Sequence, residues 1–189
     1  MNLHGTRSVQ KVVEVCKDNP EQLDVVVSAL RPSTVALCVD TNGNHVIQRV
    51  LQNLPPEHSK FVFEALIESC VEVATQRHGC CVIQRALDAS TGEERQGLVA
   101  QVRKNAMQLM QDPYGNYVVQ YVLHVCDEEQ AKGVVEVPLG RVAELSMQKF
   151  SSNVIEECLN RASSKVQLLY LKELSDPSKM KPLLQARRG

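Results

Sequence analysis

This chain has almost no net charge: 21 Lys and Arg meet 22 Asp and Glu, for a formal net charge of −1. Nucleic-acid binding driven by bulk charge normally shows as a basic domain, so that mode is disfavoured, while a basic stripe on one face remains open. No apolar run approaches the ~18–20 residues of a membrane span. Residues 1–5 have no basic segment leading into an apolar one, so no signal peptide is visible and no membrane association is expected. A Gly-rich phosphate loop is absent. The histidines His4, His45, His58, His78 and His124 have no Ser or Cys partner in a recognisable elbow. Glu156-Glu157 is an acidic pair, but neighbours on a helix diverge, so it is no paired-carboxylate site. The expectation is a protein that is not an enzyme, with no catalytic residues and no cofactor.

Paired cysteine motifs are also missing. The cysteines stand at 16, 38, 70, 80, 81, 126 and 158, an odd number with no CxxC pair and no secretory context. Reduced thiols in a cytosolic or nuclear protein are expected. His78-Gly79-Cys80-Cys81 brings two ligand types together, but adjacent cysteines on a helix diverge by ~100°, so no metal site is expected.

What is present is a repeat. Gly5-Thr6-Arg7-Ser8-Val9-Gln10, Gly43-Asn44-His45-Val46-Ile47-Gln48, Gly79-Cys80-Cys81-Val82-Ile83-Gln84, Gly115-Asn116-Tyr117-Val118-Val119-Gln120 and Ser151-Ser152-Asn153-Val154-Ile155-Glu156 are five variants of one pattern. Their last residues fall at 10, 48, 84, 120 and 156, so the steps are 38, 36, 36 and 36. A fixed period of this size is the mark of a helical solenoid. Two apolar places stay fixed in the centre, as a core requires, while the polar places around them change type.

One full repeat spans about 31–67. Pro32 to Asp40 reads as a short first helix, with Pro at its start where the missing N–H costs nothing. Thr41-Asn42-Gly43 is turn chemistry. Asn44 to about Asn53 reads as a second helix with Val46, Ile47, Val50 and Leu51 on one side, stopped by Pro55-Pro56. Glu57 to Ile67 reads as a third. The order repeats over about 68–103, 104–139 and 140–175, with a partial repeat at 1–30 and a stub at 176–189, and no strand-like alternation is visible. Without polar caps, residues 1–5 and 186–189 are expected to fray, and the chain reads as a piece of a longer array, a truncated gene product or an isoform.

Asn44, His45 and Gln48 are spaced i, i+1 and i+4, so the three are expected to reach outward from one surface while Val46 and Ile47 point inward. One such triplet per repeat makes a ladder. Its second place holds Arg7, His45, Cys81, Tyr117 and Asn153, mostly flat or π-capable groups suited to stacking on bases. Tyr114 and Phe150, in the turns, read as packing between repeats, and Lys11, Arg49 and Arg85 are equally compatible with phosphate contact or plain solvation.

The triplets and the flanks "RHGCCVIQR", "DPYGNYVVQYVL" and "KFSSNVIEECL" resemble those of the Pumilio/PUF family over nearly the whole chain, and the five variants resemble repeats three to seven of an eight-repeat domain. The resemblance implies an all-α, right-handed, crescent-shaped α-solenoid that binds single-stranded RNA on its concave face, one base per repeat. It implies base-edge contacts from Thr6/Gln10, Asn44/Gln48, Cys80/Gln84, Asn116/Gln120 and Ser152/Glu156, and stacking from the second places. Asn with Gln implies uracil, Cys or Thr with Gln adenine, and Ser with Glu guanine. With RNA antiparallel to protein, the reading is 5′-GUAUA-3′, inside a UGUA-type element. The repeat for the leading U is missing, and Cys81 departs from the flat groups usual at its place. The resemblance further implies cytoplasmic post-transcriptional repression or decay of mRNA through 3′ untranslated elements, with protein co-repressors on the outer face. The rival is an armadillo- or HEAT-like protein-binding scaffold, which has no reason to alternate Asn/Gln, Cys/Gln and Ser/Glu in code-like pairs.

Overall fold

The computed structural model describes residues 1–185. All its elements are helical, with no strand among the described residues. Helices α1 (Leu3–Cys16) and α2 (Pro20–Leu30) form the incomplete first repeat. Each later repeat has a short lead helix, a middle helix and a closing helix. These are α3 (Thr34–Val39), α4 (Asn44–Asn53) and α5 (Pro56–Glu68), then α6 (Cys70–Ala74), α7 (Gly79–Ala89) and α8 (Gly92–Lys104). There follow α9 (Ala106–Leu109), α10 (Gly115–Val125) and α11 (Glu128–Val135), then α12 (Val142–Ser146), α13 (Ser151–Arg161) and α14 (Ser164–Leu174), and last α15 (Pro177–Gln185). The second helix expected at Asn44 to Asn53 is α4, and the one expected at Glu57 to Ile67 runs one residue further at each end. The helix expected from Pro32 is a 3-10 turn over Arg31–Ser33 leading into α3.

The chain forms two compact bodies, Met1–Gln101 and Val102–Gly189. In the first, the middle helices α1, α4 and α7 lie side by side, α2 packs on α5, and the lead helices α3 and α6 rest on α4 and α7. In the second, α10 packs on α13, with α9 and α12 on the same two helices. The fixed apolar pairs are the reason. Val46, Ile47, Val82, Ile83, Val118, Val119 and Val154 have no exposed surface, and Ile155 retains 3%. Each such side chain contributes about 1.5–3 kcal/mol when fully buried. The first repeat departs from the pattern: Ser8 stands at the first apolar place, is exposed, and donates its hydroxyl to the His4 carbonyl at 3.3 Å.

Each middle helix starts hard against its lead helix. A Cβ on Gly79 would run into the Val73 carbonyl oxygen, and one on Gly115 would lie 2.8 Å from that of Leu109. In the last repeat Ser151 holds this place and is buried, and its hydroxyl donates to the Leu145 carbonyl at 2.8 Å. There the close approach has become a hydrogen bond. The turns before α4 and α10 are set by aspartates. Asp40 Oδ1 accepts from the Asn42 and Gly43 amides at 2.8 and 2.7 Å, and Asp112 Oδ1 from Tyr114 and Gly115 at the same distances. This is the local Asx hydrogen bonding that favours such residues in turns.

One expectation is corrected, that no apolar run approaches the length of a membrane span. Pro20–Val39 is long and apolar enough to cross a membrane by length and composition, with a mean hydropathy of 1.3. The segment is split by the 3-10 turn, where Arg31 pairs with Glu64 at 2.8 Å and lies 5.6 Å over the Phe61 ring. Its residues Leu23, Leu30, Leu37 and Cys38 are buried in the repeat core. Residues 1–5, expected to fray, are exposed but make specific contacts. The Met1 ammonium pairs with Asp40 at 2.8 Å, the Met1 carbonyl accepts from Asn42 Nδ2 at 3.2 Å, and Asn2 caps α1 by accepting from the amides of His4 and Gly5. Residues 186–189, also expected to fray, lie outside the described residues.

Candidate nucleic-acid interface

All five triplets sit near the N-terminal ends of middle helices: α1, α4, α7, α10 and α13. They do not reach outward together. The first place is sunk: Thr6 is 7% exposed, Asn44 3%, Cys80 4% and Asn116 1%, with Ser152 half-buried. The second place is on the surface throughout, with Arg7, His45, Cys81, Tyr117 and Asn153 all exposed. The fifth is intermediate: Gln10, Gln48, Gln84 and Gln120 are half-buried and Glu156 is exposed. Four triplets are therefore steps, with a buried floor, a half-buried rung one turn on, and a projecting group beside them; in the fifth, floor and rung both lie nearer the surface.

The floor residues spend their donors on the preceding turn. Asn44 Nδ2 donates to the Asp40 and Thr41 carbonyls, both at 2.9 Å, and Asn116 Nδ2 to those of Asp112 and Pro113 at 2.8 and 3.0 Å. Thr6 donates to the Leu3 carbonyl at 3.0 Å, Cys80 to Arg77 at 3.3 Å and Ser152 to Lys149 at 3.4 Å, each three residues back. In the two Asn repeats the floor also grips the rung: Gln48 Nε2 donates to Asn44 Oδ1, and Gln120 Nε2 to Asn116 Oδ1, each at 2.9 Å. That bond fixes the glutamine amide and leaves its Oε1 acceptor and second N–H side by side for a ligand. The Ser152/Glu156 step differs in kind, because an ionised Glu156 only accepts.

Cys80 and Cys81 correct the divergence argument. Their sulfurs lie 4.0 Å apart, and Cys81 also reaches the Arg77 carbonyl, at 3.8 Å. The basic residues after the fifth place have carboxylate neighbours: Lys11 and Arg49 each lie 3.3 Å from Glu14, and Arg85 lies 3.4 Å from Asp88. Tyr114 is 37% exposed, so it is not a packed wedge, while Phe150 is half-buried with Lys149 Nζ 5.6 Å from its ring centroid. Sequence reasoning missed the aspartate turns and the Asn–Gln clamp. The i, i+4 spacing of Asn and Gln is the signal that could have found the clamp.

The repeat model described as "Pumilio-family RNA binding repeat" matches residues 1–30, 33–67, 69–103, 105–137 and 141–175. Pumilio homolog 12 of Arabidopsis thaliana is 48% identical over 60 residues, covering 32% of this chain and 10% of that protein. Pumilio domain-containing protein C6G9.14 of Schizosaccharomyces pombe is 45% identical over 60 residues, covering 32% and 9%. Among solved structures, the Puf4 RNA binding domain bound to the HO endonuclease RNA 3′ UTR recognition sequence superposes with a TM-score of 0.88 at 42% identity. That match covers 98% of this chain and 58% of the other. The Puf3 RNA binding domain bound to the Cox17 RNA 3′ UTR recognition sequence site B gives 0.79 at 28% identity, covering 98% and 57%. The chain thus spans little more than half of these structures, and its matches span about a tenth of the curated relatives. With repeat matches along almost its entire length, the chain is a solenoid of PUF repeats and belongs to the Pumilio (PUF) family.

Proposed function

We propose that this chain binds single-stranded RNA sequence-specifically, one base per repeat, with the reading 5′-GUAUA-3′ from α13 back to α1. The observation that carries the proposal is the graded step. A polar rung follows a more deeply set residue one turn before it, an exposed group stands beside them, and the donor–acceptor pattern changes from repeat to repeat. In the Asn repeats the clamped Gln48 and Gln120 offer one acceptor and one donor, which fits the N3–H of uracil beside a carbonyl. The Ser152/Glu156 step offers acceptors to the N1–H and N2–H₂ of guanine, as charge-assisted hydrogen bonds. Small Cys80 and Thr6 leave room at the adenine C2 edge, while Gln84 and Gln10 take its polar atoms. Tyr117, His45 and Arg7 supply stacking planes, and Cys81 stacks least. The Puf4 and Puf3 RNA binding domains, bound to 3′ UTR recognition sequences, support the same substrate class. Repression or decay of cytoplasmic mRNA, through protein co-repressors on the face away from the RNA, completes the proposal.

Stacking contributes about 1–3 kcal/mol per base, so five readers give specific binding that is weaker than that of an eight-repeat domain. Titration of GUAUA-containing RNA against a scrambled oligonucleotide at fixed salt tests this. Preference for GUAUA is expected, and equal affinity for both would overturn the reading.

A further inference from the structure

One repeat of the ladder carries chemistry that base reading does not need. In α7 the buried first place and the exposed second place are both thiols, Cys80 at 4% exposure and Cys81 on the surface. Both turn toward the Arg77 carbonyl, which brings the sulfurs to 4.0 Å. We propose that Cys80 and Cys81 form a dithiol site that captures a soft, thiophilic centre of the trivalent-arsenic class between its two sulfurs, and that capture blocks the base-reading step of that repeat. Paired thiolates select soft acceptors, and a centre bridging two sulfurs of one turn needs a short rotation of each side chain rather than a change of backbone. What sets this pair apart is that Cys81 is exposed and can make the first bond, with the buried Cys80 sulfur 4.0 Å away to make the second. Cys16 is half-buried, and at Cys38, Cys70 and Cys158 burial pushes the thiol up, to about 12 for Cys38 and Cys158 and to about 11 for Cys70. The thiolate is the reactive form, so such groups are inert.

The reaction balances without an oxidant. Phenylarsine oxide loses its As–O bond and gains two As–S bonds, and the two thiol protons leave with the oxygen as one water. The adduct spans both the floor and the projecting place of the step, where an adenine would be read. This second consequence rests on the one-base-per-repeat reading, whereas the capture itself does not.

The test treats the whole chain with one equivalent of phenylarsine oxide. Cleavage after Arg77 and Arg85 isolates residues 78–85, which hold Cys80 and Cys81 and no other thiol. The expected result is one phenylarsenic group with loss of two hydrogens on that peptide, removed by 2,3-dimercaptopropanol. The adduct should be absent from Cys81→Ser and from Cys80→Ser, each checked for native helicity by circular dichroism. No adduct on the wild-type peptide, or an adduct that persists in either variant, overturns the site. In the second arm the adduct is expected to weaken GUAUA binding by about 5- to 150-fold, restored by the dimercaptan. Unchanged affinity of the adduct overturns the blocking claim. If untreated protein fails to distinguish GUAUA from the scrambled strand, the RNA reading has failed, and the peptide mass still decides the dithiol site.

Discussion

At the residue scale, the proposed reading makes specificity a matter of the atoms that each step leaves unspent. The Ser152/Glu156 step is the sharpest case, because Asn116 and Gln120 show what the same place looks like in another repeat. The turn carbonyls that hold Asn116 belong to Asp112 and Pro113, and Gln148 and Lys149 stand at the corresponding positions before Ser152. An asparagine introduced there has two carbonyls to donate to and a glutamine one turn on to clamp. Ser152→Asn with Glu156→Gln is therefore expected to change the preferred base at that step from G to U. The change is about 1–3 kcal/mol, the scale of one good bidentate base contact. Val154 and Ile155, which carry the core contacts, are untouched. Competition between GUAUA and UUAUA oligonucleotides decides it: a folded double variant that still prefers G, or binds neither, shows that these residues do not read the base.

At the element scale, what positions a step is the start of its middle helix, and two kinds of residue hold it. The first is the small residue that lets middle and lead helices touch. Gly79→Ala places a methyl on the Val73 carbonyl, while Gly115→Ala makes a looser clash with Leu109. Overpacking of this kind costs about 1–3 kcal/mol. Urea denaturation should show both variants destabilised, Gly79→Ala the more so, and equal midpoints to wild type would remove close approach as the reason for these glycines. The second is the turn aspartate. Asp112→Ala frees the Tyr114 and Gly115 amides at the start of α10, with an expected loss of about 0.5–2 kcal/mol, as for other side-chain caps at helix starts. A change below a few tenths by the same denaturation measurement would show that water replaces the carboxylate without loss.

At the scale of the whole molecule, repeats that meet only their neighbours have stability that is local and additive. The two compact bodies make this measurable. Gly79→Ala lies in Met1–Gln101, so hydrogen exchange should accelerate there and stay near wild type across α10, α11, α12 and α13, as expected for separate cooperative units. Equal acceleration in both bodies would show that the chain unfolds as one. The apolar flanks behave as positions in an array. Leu171 in α14 is 54% exposed, whereas Val135, Val99 and Phe63, at the same place in the three preceding repeats, are 2%, 7% and 6% exposed.

The period, the helical class, the apolar pairs of the four later repeats and the residues of the five triplets are legible along the chain. All of these are local: a residue type at a fixed spacing on one helix. The tertiary structure decided depth. Whether Asn44 is a reader or a clamp depends on the turn carbonyls that fold back over it, and those are placed by α3 packing under α4. The same holds for the thiols. Helical geometry sends the Cα–Cβ bonds of Cys80 and Cys81 apart by ~100°, yet side-chain rotation toward one shared carbonyl brings the sulfurs within reach. Spacing along the chain fixes where a side chain starts, and the neighbours it meets fix where its polar atoms end.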